Sequence, residues 1–186
     1  MCCGYPVARR TEPVRYVAFL RAINVGGRRM RMADLRLIFT EMGFTDVESF
    51  IASGNIIFRA DGSRSPAGLE RDIEEGLQSA LGYAVATFVR EPGALAGIAD
   101  AAFTDLSGSH QIGLMKALPG PDADAMALAL QTDNDLIAIV DREVHWLRRD
   151  PAKSRLSNGH FERALGVAAT FRSVSMVRRI TAQWGG

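Results

Sequence analysis

Apolar and polar positions along this chain change period in blocks, and each block predicts an element. Arg15–Arg21 (RYVAFLR) is β-branched, aromatic and apolar, the character of a buried strand. From Met32 the spacing is helical, with Leu35, Ile38, Phe39 and Met42 on one face and Gly43 as the C-terminal stop. Val47–Ala52 and Asn55–Arg59 read as two further strands, joined by Ser53-Gly54-Asn55, residues that tolerate positive φ. A second helical period runs over Pro66–Leu81 through Leu69, Ile73 and Leu77, and Gly82 ends it. Val85–Val89 is a fourth strand. The order β-α-β-β-α-β is that of the split β-α-β, or ferredoxin-like, unit.

The second half repeats the order without repeating the sequence. Pro92–Ala102 predicts a connecting helix, Gln111–Leu118 a strand and Pro121–Leu130 a short Ala-rich helix. Leu136–Val140 and Val144–Leu147 form a hairpin across Asp141-Arg142-Glu143. Phe161–Leu165 reads as helix, Ala168–Arg172 as a short strand and Val174–Trp184 as a closing helix. The expected class is α+β, two ferredoxin-like (split β-α-β) units in an apparent duplication. Residues 1–14 would be a leader, 15–91 the first unit, 92–108 a connecting helix and linker, and 109–186 the second unit with its C-terminal helix.

Composition narrows the class. The 186 residues are 47% hydrophobic and 23% charged, as in an ordinary globular chain. No apolar run approaches the roughly 20 residues that span a bilayer. The N-terminus, with Arg9, Arg10 and Glu12, has no apolar signal core. Cys2 and Cys3 are adjacent at the terminus, a poor position for a framework disulfide. A cytoplasmic protein with no membrane partner is expected.

The net charge of +1 hides a segregation. Residues 1–40 balance at +6, residues 41–141 at −11 and residues 142–186 at +6. Arginine makes up 20 of the 22 basic residues, a bias that suits bidentate anion recognition and that a GC-rich genome also produces.

Topology locates candidate chemistry. In a split β-α-β unit the first and second strands end at the same sheet edge, so the loop Ala22–Met30 and the turn Ser53–Asn55 should be neighbours. Asn24, Gly26, Gly27, Ser53 and Asn55 would then share a rim with Arg21. Exposed N–H groups of the Gly-Gly loop beside an Arg make an anion site. The same glycines also describe a plain tight turn, and Arg21 equally suits a buried acidic partner. Neither G-x-G-x-x-G nor G-x-x-x-x-G-K-[ST] is present, which removes the usual nucleotide-hydrolysing devices. G-x-S-x-G is absent too. His110, His145 and His160 lack metal-ligand spacing, and His145 reads as a half-exposed strand residue. Asp122, Asp124, Asp133 and Asp135 suit a helix start and a turn, so no metal is expected. Arg142, Arg148, Arg149, Lys153, Arg155, Arg172, Arg178 and Arg179 form a C-terminal basic region. It would track phosphates with Trp146 or Phe171 as a stacking platform, or pair with the acidic middle segment.

RYVAFLRAINVGG, MADLRLIFTEMGF and SFIASGNIIF together resemble the bacterial proteins grouped as domain of unknown function 1697, whose first strand and loop read Y-x-A-F-L-R-G-I-N-V-G-G. The likeness continues through VATFVR and SRLSNGHFERALGVAATFRSVSMV, covering roughly Arg15 to Ala182. It implies a duplicated α+β fold of ferredoxin-like units and no assigned reaction. Arg21, Asn24, Gly26, Gly27, Ser53, Gly54 and Asn55 match the family pattern position by position. Of a Ser-Lys-Leu-Thr-Asn-like run, Ser154, Leu156 and Asn158 remain while Arg155 and Ser157 differ. Of A-T-T-R-N-W-N-T-V, this chain keeps Ala169, Thr170, Arg172 and Val177; Phe171 and Ser173 to Met176 depart from it. The resemblance adds Ser154, Asn158 and Arg172 to the ligand-binding candidates.

The expected function is binding of an anionic, phosphorylated small molecule at the rim, without a cofactor. Nucleic-acid binding through the Arg-rich segments, an enzyme acting on a phosphorylated metabolite, and a homodimeric interaction module are the alternatives. No nucleophile, base and orienting group can be assembled from the sequence.

Overall fold

A computed structural model describes residues 12–24, 30–51, 54–104 and 106–185. The first unit runs β1 (Pro13–Leu20), α1 (Met32–Glu41), β2 (Thr45–Ser49), β3 (Asn55–Asp61), α2 (Pro66–Leu81), β4 (Thr87–Arg90) and α3 (Pro92–Asp100). The second repeats it with β5 (Ser109–Met115), α4 (Ala123–Leu130), β6 (Asp135–Val140), β7 (Glu143–Arg148), α5 (Asn158–Leu165), β8 (Ala169–Ser173) and α6 (Val174–Trp184). The sheets are ordered β2-β3-β1-β4 and β6-β7-β5-β8, and every pairing is antiparallel. Replacing each strand of the first sheet by its counterpart reproduces the second. The α+β class and the two similar units hold.

Local chemistry explains most boundaries. Ser65 caps α2 by accepting from Gly68 N–H, Pro66 opens the helix, and Gly82 closes it at φ 75°. Leu69, Ile73 and Leu77 are fully buried, each worth roughly 1.5–3 kcal/mol of transfer free energy. Differences fall where the sequence pattern is weak. β2 lies at Thr45–Ser49 rather than Val47–Ala52, because it is a largely exposed edge with a register shift between Thr45 and Glu48. α5 begins at Asn158 instead of Phe161, since its first turn is polar and carries no apolar period. Pro13 and Val14 belong to β1, not to a leader.

Three apolar layers result. One packs α1 and α2 on the outer face of the first sheet, around Leu35, Phe39, Phe58 and Ile73. Another packs α4 and α5 on the second sheet, around Trp146 and Phe161. The middle layer belongs to both units. It joins Val17, Phe19 and Ile57 to Ile112 and Leu114, with α3 and α6 packed on one another through Leu95, Val177 and Ile180. The inner sheet faces also carry polar groups.

Candidate functional site

Antiparallel pairing of β1 with β3 brings the end of β1 to the β2–β3 turn. Leu20 N–H donates to the Gly54 carbonyl at 2.7 Å. Gly54 sits at φ 72°, and a Cβ there would meet Ile23 at 3.1 Å and Leu20 at 3.2 Å, so the turn is pressed against the loop. The described end of β1 and Ile23 thus lie beside the β2–β3 turn. Gly26, Gly27 and Ser53 lie outside the described residues. Asn24 folds back locally, its Oδ1 accepting from Met30 N–H at 2.7 Å.

The rim's cations have partners within the fold. Arg21 forms a bidentate pair with Glu162 of α5, one arm at 2.8 Å. Glu162 also accepts from Ala169 N–H at 3.0 Å. Across the molecule, Lys116 follows β5 as Arg21 follows β1. It reaches Glu74 of α2 at 2.7 Å, and Glu74 accepts from Thr87 N–H at 2.8 Å. Each unit thus sends one cation to the second long helix of the other.

A second pair of contacts obeys the same pseudo-twofold relation. Arg90 ends β4, and Arg172 holds the matching place in β8: Val17 pairs with Arg90, Ile112 with Arg172. Nε of Arg90 donates to Glu143 Oε1 and its Nη2 to the Met115 carbonyl, both at 2.9 Å. Nε of Arg172 donates to Asn55 Oδ1 and its Nη2 to the Leu20 carbonyl, again at 2.9 Å. In both, Nη1 binds the preceding carbonyl, Val89 or Phe171. Asn55 and Glu143 are themselves equivalent, opposite Phe19 and Leu114 in register. Burial lowers the pKa of both guanidinium groups, that of Arg172 to about 10, while Glu143 opposes the shift at Arg90. The four groups form two arginine clamps across the middle layer. Arg172→Met should cost about 2–3 kcal/mol in urea denaturation, because the buried Leu20 carbonyl and Asn55 amide lose a charged donor. Arg172→Lys should not restore it, since one ammonium cannot reproduce the fork. A wild-type midpoint for either variant would remove the clamp.

The described part of the rim therefore joins the units through Arg21, Asn55 and Arg172. Sequence reading missed the acceptors Glu74, Glu143 and Glu162, which no local pattern marks. It also placed His145 at a half-exposed position. The residue is fully buried on the inner face of β7, its Nδ1 3.2 Å from His110 Nε2. Burial pushes both imidazoles down to about 4, helped by Arg178 at His110 and by His110 itself at His145.

The basic region divides. Arg178 pairs with Asp100 at 2.7 Å and Arg179 lies over the Phe50 ring, while Lys153 pairs with Asp150. Arg148 behaves differently. Its guanidinium lies over Trp146 at 4.6 Å, one Nη donates to Ser109 Oγ at 3.0 Å, and its buried Nε has no partner among the described residues. It borders an open groove of about 560 Å³ with Gln111, Trp146, Phe171 and the α5 start at Ser157 and Asn158. The Phe171 ring covers Gly113, where a Cβ would meet it at 2.6 Å.

Register explains why the groove exists. Trp146, Arg148, Gln111 and Ser157 correspond to Phe58, Ala60, Tyr16 and Leu69 of the first unit. There the 16 residues of α2 cover the corner with core. α5 begins about one turn later in the corresponding register, so the same corner stays open and polar. Ser154 lies behind it, donating to Asp135 Oδ1 at 2.5 Å. Trp146 Nε1 donates to the same oxygen at 2.8 Å. Burial opposes ionisation of Asp135, but hydrogen bonds from Ser154, Trp146, Asn134 and Thr132 hold its pKa below the usual value. Ser154 thus anchors the groove wall, and Asn158 faces the space.

A family model described as "Protein of unknown function (DUF1697)" matches residues 14–145. The chain belongs to this DUF1697 family. The solved structure of the conserved bacterial protein SP0830 from Streptococcus pneumoniae offers a comparison of fold. That structure superposes with a TM-score of 0.72 at 20% identity, covering 94% of this chain and 99% of its own. Among curated proteins none matches. The DUF1697 match ends inside β7, so Arg148, Asn158 and Phe171 lie beyond it. Among the described residues, no helix is long and apolar enough to cross a membrane, and no group of three or more His, Cys, Asp or Glu could hold a metal ion.

Proposed function

We propose that this protein binds a small phosphate-bearing ligand, and that the groove at the start of α5 holds it. The observation that carries this reading is Arg148, a cation fixed on Trp146 with a buried, unpartnered Nε at the edge of an open groove. An unsatisfied buried N–H costs about 1–3 kcal/mol, which an anionic oxygen beside Trp146 would recover through a charge-assisted hydrogen bond. Among the described residues no acidic side chain lines the groove, and its volume falls within the roughly 300–1,000 Å³ of small-molecule sites. At the rim, by contrast, Arg21 and Arg172 already serve contacts between the units.

Ribose 5-phosphate is a suitable probe, titrated while backbone amide shifts are followed by NMR. Shifts should centre on Ser157, Asn158 and Phe171, and Arg148→Gln should weaken binding by about tenfold or more with little change in Tm. Arg21→Ala should lose stability and keep affinity. Shifts centred on Asn24 and Met30, with none at Asn158, would return the anion to the rim.

A further inference from the structure

We infer that the ligand is a free nucleotide whose base edge is read by Gln111 and Asn158; this rests on the phosphate-binding reading of the same groove. Gln111 lies on β5, paired in register with Trp146 on one side and Ser173 on the other. Asn158 is the first residue of α5. Both line the groove, and among the described residues neither carboxamide has a hydrogen-bond partner. A carboxamide presents donors and an acceptor in one plane, the complement of a heterocycle edge.

The rest of the lining fits the same molecule. Half-buried Leu156 and Phe171 supply the apolar part of the lining, backed by the buried Trp146. Contact between a nucleobase and an aromatic side chain is favourable whatever the base. Arg148 is the one cation among the described lining residues, which matches a single phosphate better than a polyanion. The two free carboxamides, the side chains of Leu156 and Phe171 and the single described cation together select a planar, edge-polar, monoanionic or dianionic ligand. No chemistry on the nucleotide is implied.

Isothermal titration calorimetry of the full chain with AMP, GMP, CMP and UMP, against ribose 5-phosphate, tests this. At least one nucleotide should bind about tenfold or more tightly than ribose 5-phosphate. Gln111→Ala should erode that preference while leaving ribose 5-phosphate affinity unchanged, and Asn158→Ala should weaken nucleotide binding more than ribose 5-phosphate binding. Melting curves of each variant establish that it is folded, and isosteric Asn158→Asp provides a second test that preserves side-chain volume. Equal affinity for nucleotides and ribose 5-phosphate would overturn the nucleotide assignment and leave phosphate binding intact. Absence of binding by all five probes would overturn both. Binding to a labelled single-stranded RNA but to no mononucleotide, falling steeply with salt, would replace the nucleotide with a nucleic acid.

Discussion

Arg90→Met is expected to lower stability by about 3–5 kcal/mol and Tm by on the order of 10 °C. Arg90 is 6% exposed and Glu143 likewise 6%, so neither is solvated. Removing the guanidinium strands Glu143 in the middle layer, and takes a donor from the Met115 carbonyl. Glu70, whose Oε1 lies 3.7 Å from Arg90, also loses a nearby cation but keeps Lys116 at 3.4 Å. Urea denaturation measures the loss. Replacing both partners, Arg90→Met with Glu143→Leu, should recover most of it, because the desolvation cost of the orphaned carboxylate disappears with the carboxylate. A single variant within about 1 kcal/mol of wild type would show that the clamp contributes little.

Acid should act through the buried histidines. Both imidazoles have folded pKa values of about 4, below the roughly 6.5 of an unfolded chain. The unfolded state therefore binds more protons between these values. Their contribution to stability is complete above about pH 6.5 and is lost as pH falls toward 4. The pair shares one hydrogen bond and titrates jointly, so the loss is on the order of 3 kcal/mol in total. Protonation would also bring a cation toward Arg178, which faces His110 from α6 and is held by Asp100. Denaturation midpoints at pH 7, 6, 5 and 4.5 should fall more steeply in wild type than in His110→Gln with His145→Met. Parallel slopes would assign the acid response to other groups.

The groove and the clamps have a common origin in duplicated geometry with unequal residues. At the first clamp the acceptor is Glu143, at the second Asn55, and the cations reaching the second helices are Lys116 and Arg21. Each pair performs one task with two residue types. Self-comparison of the sequence consequently detects nothing, although strand order and register coincide. The same inequality opens the groove, because α5 begins about one turn later than α2 does in the corresponding register.

Periodicity and turn chemistry act over a few residues, and what they govern was legible. RYVAFLR could only be a buried strand, Leu69, Ile73 and Leu77 fixed the face of α2, and Ser53-Gly54-Asn55 marked a turn that topology brought to the first loop. Asn158 was marked by family resemblance, and Trp146, Arg148 and Phe171 by composition alone. Their assembly was not legible, because it depends on where α5 begins relative to the sheet. Arg21 shows the limit most clearly. Its charge and its place beside a Gly-Gly loop are properties of the sequence, and they suit an anion. Its partner, Glu162, lies 141 residues away and is delivered only when the second unit packs on the first. Local pattern determined the elements and their order; long-range packing decided which cations join the units and set Arg148 at the edge of the groove.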